Sequence, residues 1–238
     1  MAKRLFDIGF SLLAIVLSLP VVAIACFLIW AGDGHWPLYA GWRVGRGGRD
    51  FRMIKLRTMV VGAERLGGSS TSSVDSRLIP LGNSLRRFKL DELPQFLNVL
   101  VGDMSIVGPR PNVRRGGVDR YTAAERRLLS VRPGITDLAS IVFSDEGEIL
   151  KGSPDPDALY DAVIRPWKNR LALEYVDRRS FSLDLRLIAL TLTSLASRKA
   201  ALRGADSILA KWGVDSALRR ICARSDALPA GTPPGKTA

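Results

Sequence analysis

At 238 residues the chain is long enough for one domain with a sizeable core and an appendage. Its net charge of +12 is concentrated: residues 41–132 hold 18 Lys/Arg against 8 Asp/Glu, which calls for an anionic partner such as nucleic acid, an acidic membrane surface or a phosphorylated substrate. Two cysteines, Cys26 and Cys222, form no disulfide framework and fit a reduced cytoplasmic setting, and a single histidine, His35, excludes a His-rich zinc site.

Residues 8–31 carry no charge. As a helix they extend roughly 36 Å, enough for a bilayer core and too long for a signal peptide. Pro20 removes a backbone hydrogen bond in the middle, and Ser18 can return a hydroxyl to a freed carbonyl. Lys3 and Arg4 precede the run; Arg43, Arg46, Arg49, Arg52, Lys55 and Arg57 follow it. Both flanks therefore ask for the cytoplasmic side. A helix broken at Pro20 and returning to the same face satisfies them; a simple span is the alternative.

Residues 38–45 and 51–59 read as the arms of a hairpin around the glycine-rich Arg46-Gly47-Gly48-Arg49-Asp50. Phe51, Met53 and Lys55 share one side of the second arm, and Lys55 or Arg57 is placed to face phosphates. Residues 67–76 read as a mobile Ser/Gly-rich loop. Residues 78–90 mix apolar side chains with Arg86, Arg87 and Lys89, a pattern for a membrane surface or a solvated helix face.

The stretch Leu90-Asp91-Glu92-Leu93-Pro94-Gln95 has two readings. Asp91 is a helix N-cap with Glu92 in the first turn, or the two carboxylates serve phosphoryl chemistry between Arg86 and Arg110. Further on, residues 123–131 read as helix, Arg132-Pro133-Gly134-Ile135-Thr136 as a turn, and 138–143 as a short strand. Residues 157–175 are helical by period, 183–195 form an apolar segment too short to span, and 201–224 one amphipathic helix. From residue 228 the composition reads as disorder.

Five blocks, taken together, resemble the bacterial sugar transferase family of monotopic phosphoglycosyl transferases. They are Lys3-Arg4-Leu5-Phe6-Asp7, the segment ending Lys55-Leu56-Arg57-Thr58-Met59, residues 90–111, Arg132-Pro133-Gly134-Ile135-Thr136, and Ser182-Leu183-Asp184-Leu185. They run in order over roughly residues 3–195. The resemblance implies transfer of a sugar 1-phosphate from a UDP-sugar to polyprenol (undecaprenyl) phosphate, with release of UMP, as the first membrane step of polysaccharide or glycoconjugate assembly. It implies Asp91 as nucleophile, Glu92 as its assistant, and Mg²⁺ held by Asp91 and Glu92. Substrate phosphates would fall to Lys55, Arg57, Arg86 and Arg110, and the helix break to Ser18 and Pro20. One departure is residues 137–141, Asp137-Leu138-Ala139-Ser140-Ile141, where many relatives have Gly, an aromatic and Gln.

The fold expected is α/β: a small catalytic domain with short strands and membrane-lying amphipathic helices, anchored by an N-terminal re-entrant broken helix. Residues 1–32 would form the membrane helix, 33–197 the catalytic domain, and 198–238 an amphipathic helix and disordered tail. The expected place is the bacterial inner membrane, with the site on the cytoplasmic face against anionic head groups. A membrane-tethered nucleic-acid-binding protein is the competing class, but no recognition motif accompanies the charge; an inactive scaffold is a third, which the intact Asp91-Glu92 pair opposes.

Overall fold

The computed structural model describes residues 2–66, 68, 70–224 and 228–236. Helix α1 is Ala2–Asp33, followed by the antiparallel hairpin β1 (Leu38–Val44) and β2 (Asp50–Leu56). Next come α2 (Gly82–Arg87), a single turn at Leu90–Glu92 and α3 (Gln95–Val101). Strand β3 (Ser105–Val107) pairs in parallel with β4 (Gly134–Thr136). The C-terminal half is helical: α4 (Leu138–Val142), α5 (Glu146–Ile149), α6 (Pro156–Leu159), α7 (Arg165–Arg178), α8 (Phe181–Ala196), α9 (Arg198–Lys211) and α10 (Ser216–Ala223). The mixed α/β class and short strands are as expected.

One apolar core joins the hairpin, β3 and helices α4 to α10, through residues such as Met53, Met104, Ile141, Leu171, Leu187 and Leu209. Helices α9 and α10 belong to it. The expected single helix over 201–224 is interrupted at Gly213, which takes φ +64°, a conformation glycine adopts at little cost. Residues 138–143 are helix rather than strand. Asp137 is the reason: its carboxylate accepts the Ser140 amide at 2.6 Å and caps α4. Residues 228–236 have no regular structure, yet Pro229 accepts from Trp167 Nε1 at 3.0 Å and Gly231 donates to Ala162 at 2.9 Å. The expected mobile loop over 67–76 is organised by buried Arg77, which pairs with Asp75 at 2.7 Å and donates to the Gly68 carbonyl at 2.8 Å. Gly67 and Ser69 of that loop, with residues 237–238 of the tail, lie outside the described residues.

Helix α1 runs through Pro20 as one helix. Ser18 Oγ donates to Ile15 O at 3.4 Å, not to the Val16 carbonyl that Pro20 leaves without a donor. Both ends of α1 dock on the body. At the start, Lys3 Nζ meets Asp184 at 2.5 Å and Val107 O at 3.1 Å. Arg4 donates to Val99 O and Leu100 O at 2.6 and 2.8 Å, satisfying the last carbonyls of α3. Buried Asp7 accepts from Ser105 Oγ at 2.8 Å and Ile106 N at 3.2 Å, in place of a strand beside β3. At the far end Ala25 and Ile29 bury against Leu56 and Leu85.

The middle of α1 is apolar and exposed, including Leu13, Val16, Leu17 and Ile24. Exposed Leu97 and Val101 lie on α3, which packs on the first half of α1, and exposed Phe181 meets Phe6 edge-on at 5.2 Å. An apolar surface of that extent on one side of a protein marks contact with a membrane or another apolar body.

Candidate active site

The Leu90–Glu92 turn is entered through Lys89 at φ +55°, a left-handed conformation that costs a non-glycine residue about 1 kcal/mol. The turn delivers the two carboxylates to different surroundings. Neither caps a helix. Glu92 is held by both terminal nitrogens of Arg110, at 2.5 and 3.0 Å, and Arg110 also donates to Ile135 O at 3.1 Å. Asp91 is 6% exposed and accepts no hydrogen bond from any described residue.

That difference sets the electrostatics. Burial, with the Glu92 charge beside it, pushes Asp91 up to about 6, against the pull of Lys55, Arg86 and Arg110. Burial also raises Glu92, but Arg110 and Lys89 reverse the effect and hold it below the usual range. Burial brings Lys55 down to about 8 despite Asp91 nearby. Burial likewise lowers Arg86, Lys89 and Arg43. Five cations thus gather around two carboxylates, and only Arg110 among them has a carboxylate salt bridge within the described residues.

The scaffold explains how these residues converge. Asn98, buried on α3, accepts the Ile54 amide at 2.9 Å and donates to Arg52 O at 2.8 Å. It stands in for a neighbouring strand along β2 and fixes Lys55, the next residue, against the turn that precedes α3. Arg86 reaches inward from α2 and donates through Nε to Thr58 Oγ1 at 2.9 Å. Gly108 approaches Gly134 so closely that a Cβ on it would lie 2.4 Å from Arg132 O and 3.0 Å from Gly134 N. This close contact of the two loops carries Arg110 toward Glu92.

Of the residues expected at the site, Asp91, Glu92, Lys55, Arg86 and Arg110 come together. Arg57 does not: it is buried and forks onto Asp33, at 2.6 and 2.7 Å, with a further bond to Trp36 O. It ties β2 to the end of α1. Alternation would put Arg57 on the same face as Lys55, two positions earlier, but Arg57 lies beyond the end of β2. Arg43, Lys89 and Asp137 join the site, though none was assigned a role there. Asp137, raised by burial, is close enough to Arg110 and Lys89 to act on both, and its buried Oδ2 has no partner among the described residues.

Among the described residues no group of three or more His, Cys, Asp or Glu side chains is arranged to hold a metal. Two carboxylates remain, of which one is desolvated and uncommitted. That set fits Mg²⁺, which takes one or two protein carboxylates and completes its shell with phosphates and water.

A desolvated carboxylate ringed by cations is the arrangement that phosphoryl chemistry calls for. A sequence model of the family described as bacterial sugar transferase matches residues 1–198, and the chain belongs to that family. It is 38% identical over 146 residues to a Bacillus subtilis protein provisionally named undecaprenyl-phosphate N-acetylgalactosaminyl 1-phosphate transferase, covering 57% of this chain and 82% of that one. It is 38% identical over 142 residues to the Aeromonas hydrophila UDP-N-acetylgalactosamine-undecaprenyl-phosphate N-acetylgalactosaminephosphotransferase, covering 59% of this chain and 34% of that one. It is 34% identical over 200 residues to the Komagataeibacter xylinus undecaprenyl-phosphate glucose phosphotransferase, covering 80% of this chain and 35% of that one. The chain spans about a third of the length of the last two.

Proposed function

We propose that the protein transfers a sugar 1-phosphate from a UDP-sugar to polyprenol phosphate through a covalent intermediate on Asp91. The observation that carries the reading is the Asp91 carboxylate: buried, accepting no hydrogen bond from any described residue, and facing a surplus of cations. Relatives named for sugar-phosphate transfer to undecaprenyl phosphate supply the acceptor class.

In the first step an Asp91 oxygen attacks the β-phosphorus of the donor. The P–O bond to the α-phosphate breaks, and UMP leaves with the bridging oxygen. In the second step a phosphate oxygen of the polyprenol attacks the same phosphorus, and the Asp91 carboxylate is expelled. Lys55 and Arg86 are free to take phosphate oxygens as charge moves onto the leaving group. Glu92, kept ionised by Arg110, remains available for metal or proton handling. Mg²⁺, held by Asp91 and Glu92, would neutralise phosphate charge.

The docked ends and exposed middle of α1 support a re-entrant seating in the cytoplasmic membrane, with both ends and the site on the cytoplasmic face. The lipid-soluble acceptor then reaches Asp91 from the bilayer.

Intact-protein mass after addition of a panel of UDP-sugars and Mg²⁺, without polyprenol phosphate, tests the reading. The wild type is expected to gain one phosphosugar at Asp91 and Asp91→Asn none. An active wild type that stays unmodified and follows sequential rather than ping-pong kinetics would reduce Asp91 to a metal ligand in a direct displacement.

A further inference from the structure

The antiparallel register sets Tyr39 directly opposite Lys55, and Gly41 and Arg43 follow Tyr39 on the same face of β1. The Lys55 ammonium lies 5.8 Å from the centre of the Tyr39 ring. That ring lies back along the strand over Gly41: a Cβ there would come within 2.7 Å of it. Tyr39 nonetheless stays 38% exposed, so part of an aromatic surface faces out beside the site.

Arg43 is electrostatically unsatisfied. Burial lowers it, the Tyr39 phenol beside it pulls the other way, and Arg110, a further cation, adds to the lowering. Lys55 feels Arg43 as a further repulsive charge. Its one hydrogen bond among the described residues is to the adjacent Trp42 carbonyl at 2.8 Å, and no carboxylate partners it. A partly buried guanidinium with no anion, placed among cations, is stabilised only when an anion arrives. Arg43 touches neither Asp91 nor Glu92, so that anion is not the phosphate under attack. It is the next one along.

We propose that Tyr39 and Arg43 form the nucleotide arm of the donor site: Arg43 binds the α-phosphate that departs with the nucleoside, and the Tyr39 ring packs against the base. The proposal rests on the UDP-sugar reading above and extends it to residues 39–43. The chemistry selected is an aromatic base joined to a phosphate, in preference to phosphate alone. As the P–O bond breaks, negative charge grows on the oxygen that stays with the α-phosphate, and Arg43 receives it while Lys55 and Arg86 remain with the phosphosugar.

The test is calorimetric binding of UMP, with inorganic phosphate as the comparison, to the full chain in detergent. Arg43→Gln should weaken UMP by about ten- to a hundredfold, the usual effect of losing a charge-assisted bond. Arg43→Lys should fall between, since lysine keeps the charge and loses the fork. Gly41→Ala, which displaces the Tyr39 ring without removing it, should weaken UMP by about tenfold and leave phosphate binding unchanged. In turnover, Arg43→Gln should raise KM for the UDP-sugar and leave KM for polyprenol phosphate alone. Should Arg43→Gln fail to fold, Arg43→Lys decides. UMP affinity unaltered in the Arg43 variants, or lost equally in Arg126→Gln on a remote surface, overturns the proposal, as does a wild type that binds no UMP. A wild type that binds UMP through Arg43 but forms no adduct would leave the nucleotide arm standing and remove the covalent mechanism.

Discussion

Replacing Asp91 with Asn separates a nucleophile from a capping residue, because the two predict different changes in stability. A capping aspartate tolerates Asn, which caps as well. Asp91 caps nothing and is instead a buried carboxylate raised from 3.8 to about 6. The sign follows from the proton balance. With its folded pKa above its unfolded one, the group carries no penalty below about 3.8, an increasing penalty up to about 6, and a constant one above. About two pKa units correspond to a cost on the order of 3 kcal/mol at pH 7.5. Asp91→Asn should therefore melt above the wild type at pH 7.5, with the gap shrinking toward pH 4, while adduct formation is abolished. In the wild type the carboxylate is about one-tenth ionised at pH 5 and about nine-tenths at pH 7. Single-turnover adduct formation should rise over that interval with a midpoint near 6. Glu92→Gln, which removes the repelling charge, should move the midpoint down, and Lys55→Met, which removes an attracting one, should move it up. A flat profile from pH 5 to 7.5, or an Asn variant that melts lower at pH 7.5, would refute the reasoning.

Arg110→Ala leaves Glu92 without its two hydrogen bonds and should lower turnover by about ten- to a hundredfold, whereas exposed Arg126→Ala should change it little; equal, mild losses would mean that the site is misplaced. Pro20→Leu restores the missing backbone donor in α1 and should favour a straight span, carrying the N-terminus across the membrane. Cysteine labelling from outside reads this, and a wild-type N-terminus already labelled there would contradict the re-entrant seating.

The parts of the site legible in the sequence are those with local signatures. Gly47 and Gly48 between alternating arms mark the hairpin, and Asp91-Glu92 between arginines marks the pair. The hairpin's register then follows from its tip, so Tyr39 and Arg43 were in principle readable as the face opposite Lys55 and Phe51. What the sequence could not resolve is which cation does what. Arg57 and Lys55 differ by two positions in one basic strand, yet one forks onto Asp33 and the other is left free beside Asp91. The difference lies in a partner 24 residues away, and pattern carries no such information. The short apolar run 138–143 was read as strand, although Asp137, three residues before Ser140, was a local cue to a helix start.

Charge led to the expectation of a break in α1 at Pro20, whereas α1 runs through Pro20 as one helix with both ends in contact with the domain. Positive flanks were read as topological signals, but Lys3 and Arg4 are committed to Asp184 and the end of α3, and Arg57 to Asp33. Those commitments constrain the helix more tightly than a charge rule. A straight helix of 32 residues is about 48 Å long, so one end of a helix standing across a bilayer would be carried far from a domain held at the other. Here both ends hold the same domain, and the exposed apolar residues fall between them. The contacts at the far end involve β2 and α2, the elements that bear Lys55 and Arg86, and those at the near end involve α3, whose Asn98 fixes β2. The apolar helix and the cations around Asp91 are therefore joined through the same elements. A change that pulls either end of α1 away from the domain is therefore expected to disturb the cations around Asp91 and to lower adduct formation.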